Sequence, residues 1–281
     1  MLRKPLLAFL LLSLSACSSM VSERFANNLG DAILTQNDPD IAAASMPTFL
    51  VMMDSLVLGA PENATILSAS ADLNGAYATL FVSDASRARQ LTDKSLRQAR
   101  TALCTVENGI CASENADLDT FRQALKQLRR DDIALLYSYG TAWAGWIQTH
   151  RNDWNGLAQV PKVEAVMTRV AELNEQYQWG RAHLYLAVIN SQIPPALGGK
   201  PETGRLHFEK AIAISQGKDL VAKVEYARHY ARLMFDQELH DRLLNEVITA
   251  QPGVAKLNLS NALAKQAARE LLDTSEEYFE E

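Results

Sequence analysis

The chain has 281 residues and carries 27 Lys plus Arg against 33 Asp plus Glu, a formal net charge of −6. That acid excess argues against nucleic acid as a partner, which rewards clustered Lys and Arg, and against electrostatic docking on anionic lipid. The length can bury a substantial core, and no Pro/Gly/Ser-rich linker divides it, so residues 17–281 read as one continuous domain.

The chain opens with a basic start at Arg3 and Lys4 and an apolar run from Leu6 to Leu14, followed by Ser15, Ala16 and Cys17. The apolar run is too short and too Ser-interrupted to span a bilayer. This is the layout of a secretory signal, and its Leu-Ser-Ala-Cys ending resembles the lipobox of bacterial lipoproteins. Residues 1–16 are then a lipoprotein signal peptide and Cys17 is the first mature residue. Its thiol is the nucleophile that takes a diacylglycerol, and its amine takes a further acyl chain such as palmitate. The competing readings are an ordinary signal peptide with an incidental cysteine, or a buried N-terminal helix. Several acyl chains anchor firmly where one is marginal, so a periplasm-facing, lipid-anchored protein is expected in the cell envelope. Ser18, lacking the aspartate typical of inner-membrane retention, favours by analogy the outer membrane of a Gram-negative bacterium. Loss of Arg3 and Lys4 takes the net charge to about −8. No second apolar run long enough to cross a membrane is expected after the signal.

From there nearly every segment repeats its apolar residues at a helical period. Phe25, Ala26, Leu29, Ala32 and Ile33 mark a first helix, stopped at Asn37-Asp38-Pro39. Residues 40–58 follow, with Pro47 expected to kink or break them, then 62–82. Residues 84–103 carry Arg87, Arg89, Lys94, Arg97 and Arg100, read as a solvated face or, less favourably, a partner-binding stripe. Cys104 and Cys111 flank Asn108-Gly109, a turn signal that brings them together. A disulfide is expected in an oxidising compartment, against two buried free thiols. Helices are then expected at 118–128, 131–149, 163–174, 178–192, 202–215, 220–235, 238–250 and 257–272. No segment shows the alternation a strand needs, so the class is all-α.

The spacing also resembles tetratricopeptide repeats, where large and small residues at fixed offsets let paired helices nest. Leu136, Tyr139, Gly140 and Trp143 fit one helix; Gly204, Phe208 and Ala211 fit another, echoed less well by Leu239, Leu243 and Glu246. The expected architecture is a single curved, solenoid-like domain of degenerate helical hairpins; the alternative is an irregular bundle with chance spacing. An insertion, Pro194-Pro195-Ala196-Leu197-Gly198-Gly199, exceeds the standard repeat. Its prolines stiffen the backbone and its glycines free it, which suits either a shaped loop that lines a pore or contacts a partner, or a rigid connection.

Catalytic chemistry has no positive sign. His150, His183, His207, His229 and His240 form no close metal-ligand spacing, and no nucleophile elbow, P-loop or dinucleotide fingerprint occurs. No catalytic residue, metal or cofactor is therefore expected beyond the lipid on Cys17. His240 and Asp241 should point apart on a helix, and their cluster reads as capping and ion pairing. Tyr137, Tyr139, Trp143, Trp146, Tyr177, Trp179 and Tyr185 are core candidates, although Tyr139, Trp143 and Trp146 could line an apolar groove.

Several blocks carry a family resemblance: Tyr177 to Ala187 (YQWGRAHLYLA), Pro194 to Glu202 (PPALGGKPE), His207 to Ala211 (HFEKA), Phe235 to Glu246 (FDQELHDRLLNE) and Tyr137 to Trp146 (YSYGTAWAGW). In order and spacing the chain resembles the TRAP transporter TatT component family, densest over residues 131–272. The resemblance implies a periplasmic lipoprotein with tetratricopeptide-like repeats, associated with tripartite ATP-independent periplasmic transport. It further implies a scaffold that self-assembles as a homo-oligomer around an apolar channel and docks a periplasmic solute-binding protein. Only Cys17 matches a position of defined chemistry. The expected function is an accessory of solute uptake that binds that protein and an apolar or organic-acid ligand, through Tyr139, Trp143, Trp146, Pro194, Pro195 and Leu197. The alternative is an envelope scaffold or assembly lipoprotein that works through protein contacts without a ligand.

Overall fold

The computed structural model describes residues 21–251 and 253–280; the signal segment and Cys17 lie outside the described residues. Every regular element is helical, and no strand occurs among the described residues, as the periodicity requires. The first helix, α1, covers residues 21–34. Asp38 accepts from the backbone N–H groups of Asp40 and Ile41, and Pro39 sits in the first turn of α2 (Pro39–Gly59). One side chain thus satisfies donors that a helix start leaves open.

Pro47 does not break α2, which runs unbroken through it. The ring removes one backbone bond, but Met46, Leu50 and Met53 pack into the cluster formed with α1 and α3 (Ala64–Leu80), and tertiary packing overrides a local breaker. The expectation that no second long apolar run exists is corrected by the same observation. By length and composition α2 could cross a membrane, with mean hydropathy 1.7 and only 22% of that stretch buried.

The cations on α4 (Ala85–Cys104) are more than a solvated face. Arg87 donates to the Tyr77 hydroxyl at 3.3 Å, Arg89 to the Thr149 carbonyl at 3.0 Å, and Lys94 and Arg100 pair with Asp54 and Glu114. They tie α4 to its neighbours. Cys104 and Cys111 are disulfide-bonded with their Cα atoms 6.0 Å apart. Asn108-Gly109 makes no turn between them, however. It opens the short helix α5 (Asn108–Ser113), because the Glu107 carboxylate accepts from the Gly109 N–H at 2.9 Å.

The remaining helices are α6 (Leu118–Leu125), α7 (Ile133–Thr149), α8 (Trp154–Leu157), α9 (Val160–Leu173), α10 (Arg181–Asn190) and α11 (Pro201–Ile214). Then come α12 (Val221–Glu225), widening into a π-helical turn at Tyr226–Ala231, α13 (Gln237–Thr249), α14 (Asn258–Asp273) and α15 (Ser275–Glu280). The helix expected at 220–235 is therefore not uniform, and the one expected from residue 178 begins at Arg181.

Helices pack mainly on their sequence neighbours: α3 and α4 on each other and on α7, α7 on α9, α9 on α10, α10 on α11, α12 on α13, and α13 on α14. Then α14 returns to α2. Leu259 is buried inside the α1–α3 cluster, the Asn258 amide donates to the Thr35 carbonyl at 3.1 Å, and Lys256 pairs with Asp31. The first and last long helices therefore meet.

Close nesting depends on small residues. A Cβ on Gly140 would lie 2.8 Å from Val166 Cγ1, and one on Gly204 would lie 2.1 Å from Ser191 Oγ and 2.9 Å from the Ala187 carbonyl oxygen. Glu246, an acid where a nested small residue is wanted, instead pairs with Lys223 at 2.7 Å. Gly204→Val is expected to lower unfolding stability by about 1–3 kcal/mol through overpacking. Gly30→Ala, whose Cβ meets nothing within 4 Å, should leave it unchanged or raise it by about 1 kcal/mol. Urea denaturation of both variants checks the contrast.

Candidate functional site

Of the residues expected to line a groove, Tyr139 and Trp143 meet ring to ring at 5.1 Å within the core. Tyr139 and Trp143 are buried, at 1% and 3% exposure. The Trp143 ring meets Phe121 edge-on at 6.0 Å, and the Tyr139 hydroxyl donates to Glu114 at 2.7 Å. Trp146 donates to Asp93 at 2.8 Å and stacks on His150. Their spacing of three and four residues is a core stripe, which a groove wall would share. Pro194 and Pro195 are exposed, and Pro195–Leu197 form a single 3-10 turn. The Gly198 and Gly199 N–H groups donate to the Pro195 and Pro194 carbonyls, so the insertion is bonded to itself.

A different set of residues converges. Tyr137 from α7 packs on Tyr177 and on Tyr185 from α10, Arg181 from α10 bonds Asp219 before α12 and Ser260 from α14, and Ser138 from α7 bonds Asp72 from α3. The Tyr137 ring lies 5.5 Å from Tyr177 and 6.4 Å from Tyr185, each edge to face, a favourable arrangement for aromatic pairs. Arg181 makes a bidentate pair with Asp219 at 2.6 and 3.1 Å and donates to Ser260 at 3.0 Å. The Ser138 hydroxyl donates to Asp72 at 2.6 Å.

Charge and burial shape this cleft. Asp72 keeps contact with solvent, yet surrounding protein pushes its carboxyl up to about 6, against the Ser138 hydrogen bond. Burial also raises the Tyr137 and Tyr185 phenols, helped at Tyr137 by Tyr185 and opposed at both by Arg181. These hydroxyls therefore remain donors. Burial works against the Arg181 charge, but Asp219 outweighs it and holds the guanidinium more firmly protonated.

The backbone entering α10 is strained. Gln178 and Trp179 hold φ of 48° and 57°, followed by Gly180 at 77°. Left-handed geometry costs an ordinary residue about 1–2 kcal/mol, and such outliers gather where function over-determines the chain. This strained segment carries Tyr177 into the cleft and delivers Arg181 to Asp219. Sequence reading named the tyrosines only as core candidates and missed Asp72, Arg181 and Asp219, which lie on separate elements and share no local motif.

A second hollow, of about 290 Å³, is lined by Glu164, Thr168, Glu172, Glu175, His183 and His207, among others. His183 Nε2 lies 3.2 Å from Glu175, and its Nδ1 lies 2.9 Å from His207 Nδ1. With His183 donating to Glu175, its Nδ1 accepts from His207; burial pushes both imidazoles below their ordinary pKa. No group of three or more His, Cys, Asp or Glu is placed to hold a metal among the described residues.

His240 and Asp241, expected to point apart, do meet. His240 Nδ1 lies 2.8 Å from the Asp241 carboxylate, which also accepts from Ser275 at 2.6 Å, while Arg232 donates to His240 Nε2. The Asp241 carboxylate reaches back because Ser275, at the start of α15, gives it a second donor. With His240 wholly buried, the cluster clasps α15 to α13.

A model of the family described as "TRAP transporter T-component" matches residues 35–279. The chain is also 25% identical, over a 278-residue alignment covering 90% of it and 85% of the relative, to an uncharacterized protein of Treponema pallidum (strain Nichols).

Because the Asp72 carboxyl is raised on folding, the folded protein binds more protons than the unfolded chain between about pH 4 and 6. Stability should therefore fall as pH rises through that window. Asp72→Asn should remove this part of the pH dependence, so its stability relative to the parent should grow from pH 4 to pH 7. Urea midpoints of the two proteins across that range check the sign; the buried histidines lean the other way but cancel in the comparison.

Proposed function

The chain belongs to the TRAP transporter T-component family, and from that membership we propose that it is a lipid-anchored, periplasm-facing accessory of TRAP-type solute uptake. In this reading Cys17 holds the helical array, with its tetratricopeptide-like hairpins, at the outer membrane. The array docks a periplasmic solute-binding protein, and the cleft receives an apolar or organic-acid ligand.

The observation that carries the ligand reading is the convergence of Tyr137, Tyr177 and Tyr185 beside Arg181 at a strained turn. Rings set edge to face give a planar or apolar body surfaces to lie against, and phenols held protonated give it donors. Asp219 already satisfies Arg181, so the cation orients the wall and need not be neutralised by the ligand. The family is one of transporter components, and the cleft supports binding without a chemical step.

Tagged, lipidated full-length protein should recover a periplasmic solute-binding protein from envelope extracts, and native mass spectrometry should find a small organic molecule on it. Tyr177→Ala should lower ligand occupancy about tenfold, a loss of about 1.4 kcal/mol. Recovery of envelope-assembly factors alone, with a consistently empty cleft, would instead favour a scaffold.

A further inference from the structure

The most anomalous surface is the outer face of α2. Apart from Asp40 in its first turn and Asp54, which is neutralised by Lys94 at the edge of the face, the exposed side chains of this helix are uncharged. Ile41, Thr48, Val51, Met52, Ser55 and Leu58 form a stripe along the face opposite Met46, Leu50 and Met53, with Leu58 at 83% and Val51 at 69% exposure. A helix apolar on all sides is ordinarily buried, either in a core or in lipid. Here the inner face fills the core and the outer face lies bare.

The position of the stripe identifies what covers it. Glu23, at the start of α1, accepts a 2.7 Å hydrogen bond from Asn63, just beyond the end of α2. The beginning of α1 therefore lies beside the Leu58 end of the stripe, where Val21 and Phe25 are also exposed. Cys17 stands four residues before Val21, a span of at most about 14 Å even when fully extended. An acylated Cys17 would therefore bring a bilayer surface to this end of α2.

We propose that the outer face of α2 lies on the membrane that receives the Cys17 lipid, with Val51, Met52 and Leu58 entering the headgroup and acyl boundary. The inference rests on Cys17 carrying the anchor. A net negative chain gains little from anionic headgroups, so the contact is apolar in origin. It turns a flexible tether into a fixed orientation.

The test uses the lipidated full-length protein on vesicles of phosphatidylethanolamine and phosphatidylglycerol containing brominated acyl chains. An environment-sensitive fluorophore is placed at Val51→Cys and, as a control, at Leu206→Cys, which is exposed on α11. The protein should float with the vesicles, and bromine should quench the probe at residue 51 at least about threefold more than that at 206. Protein that stays in the aqueous fraction overturns the proposal together with the anchor. Protein that floats with equal quenching at both positions overturns the docked face and leaves the anchor standing. Energy transfer between copies labelled at residue 51, without bromine quenching, assigns the stripe to a second copy and also overturns it.

Discussion

The return of α14 to the first helical hairpin is the constraint on which the rest of the molecule depends. Leu259 reaches a core built from residues more than 180 positions earlier, and Asn258 and Lys256 fasten the same junction. That contact joins the two ends of the helical array, while packing of α3 on α7, α10 on α12 and α12 on α14 links the elements between. Arg181 then bonds Asp219 and Ser260 together, joining the middle of the chain to its last long helix.

This geometry explains why the cleft is both aromatic and ionic. Where several helices converge, side chains crowd together and burial is incomplete. Tyrosine suits such a place, since its ring packs while its hydroxyl finds a partner. A carboxylate such as Asp72 pays for the position with a raised pKa. The left-handed turn at Gln178 and Trp179 is where the chain absorbs the mismatch between helix direction and site geometry.

Much of the fold was legible because helix signals are local. Asp38-Pro39, Asn63 and Asp84 mark helix starts where capping side chains are observed, and Gly140 and Gly204 mark close approaches by their size. Tertiary partners override local rules at Pro47, where packing keeps α2 unbroken, and at His240–Asp241, where Ser275 joins the pair; at Asn108-Gly109 a local cap from Glu107 starts a helix in place of a turn. The tyrosine and arginine cluster was the least legible part, because Asp72, Tyr137, Arg181 and Asp219 lie far apart in the chain and come together only through packing between helices. The sequence signals near it are the blocks from Tyr177 to Ala187, which holds the strained turn, and from Tyr137 to Trp146, both of which carry the family resemblance.

Closure is therefore the claim to test most directly. Spin labels at the exposed neighbours Ala32→Cys and Ala255→Cys, which leave the Asp31–Lys256 pair intact, measured by pulsed electron resonance in the full-length protein, report the distance between the first hairpin and the start of the last long helix. A closed array predicts one narrow population at the short limit of the method. A broad or long distribution would mean an open array, and the cleft assembled from α3, α7, α10 and α14 would then not exist as described.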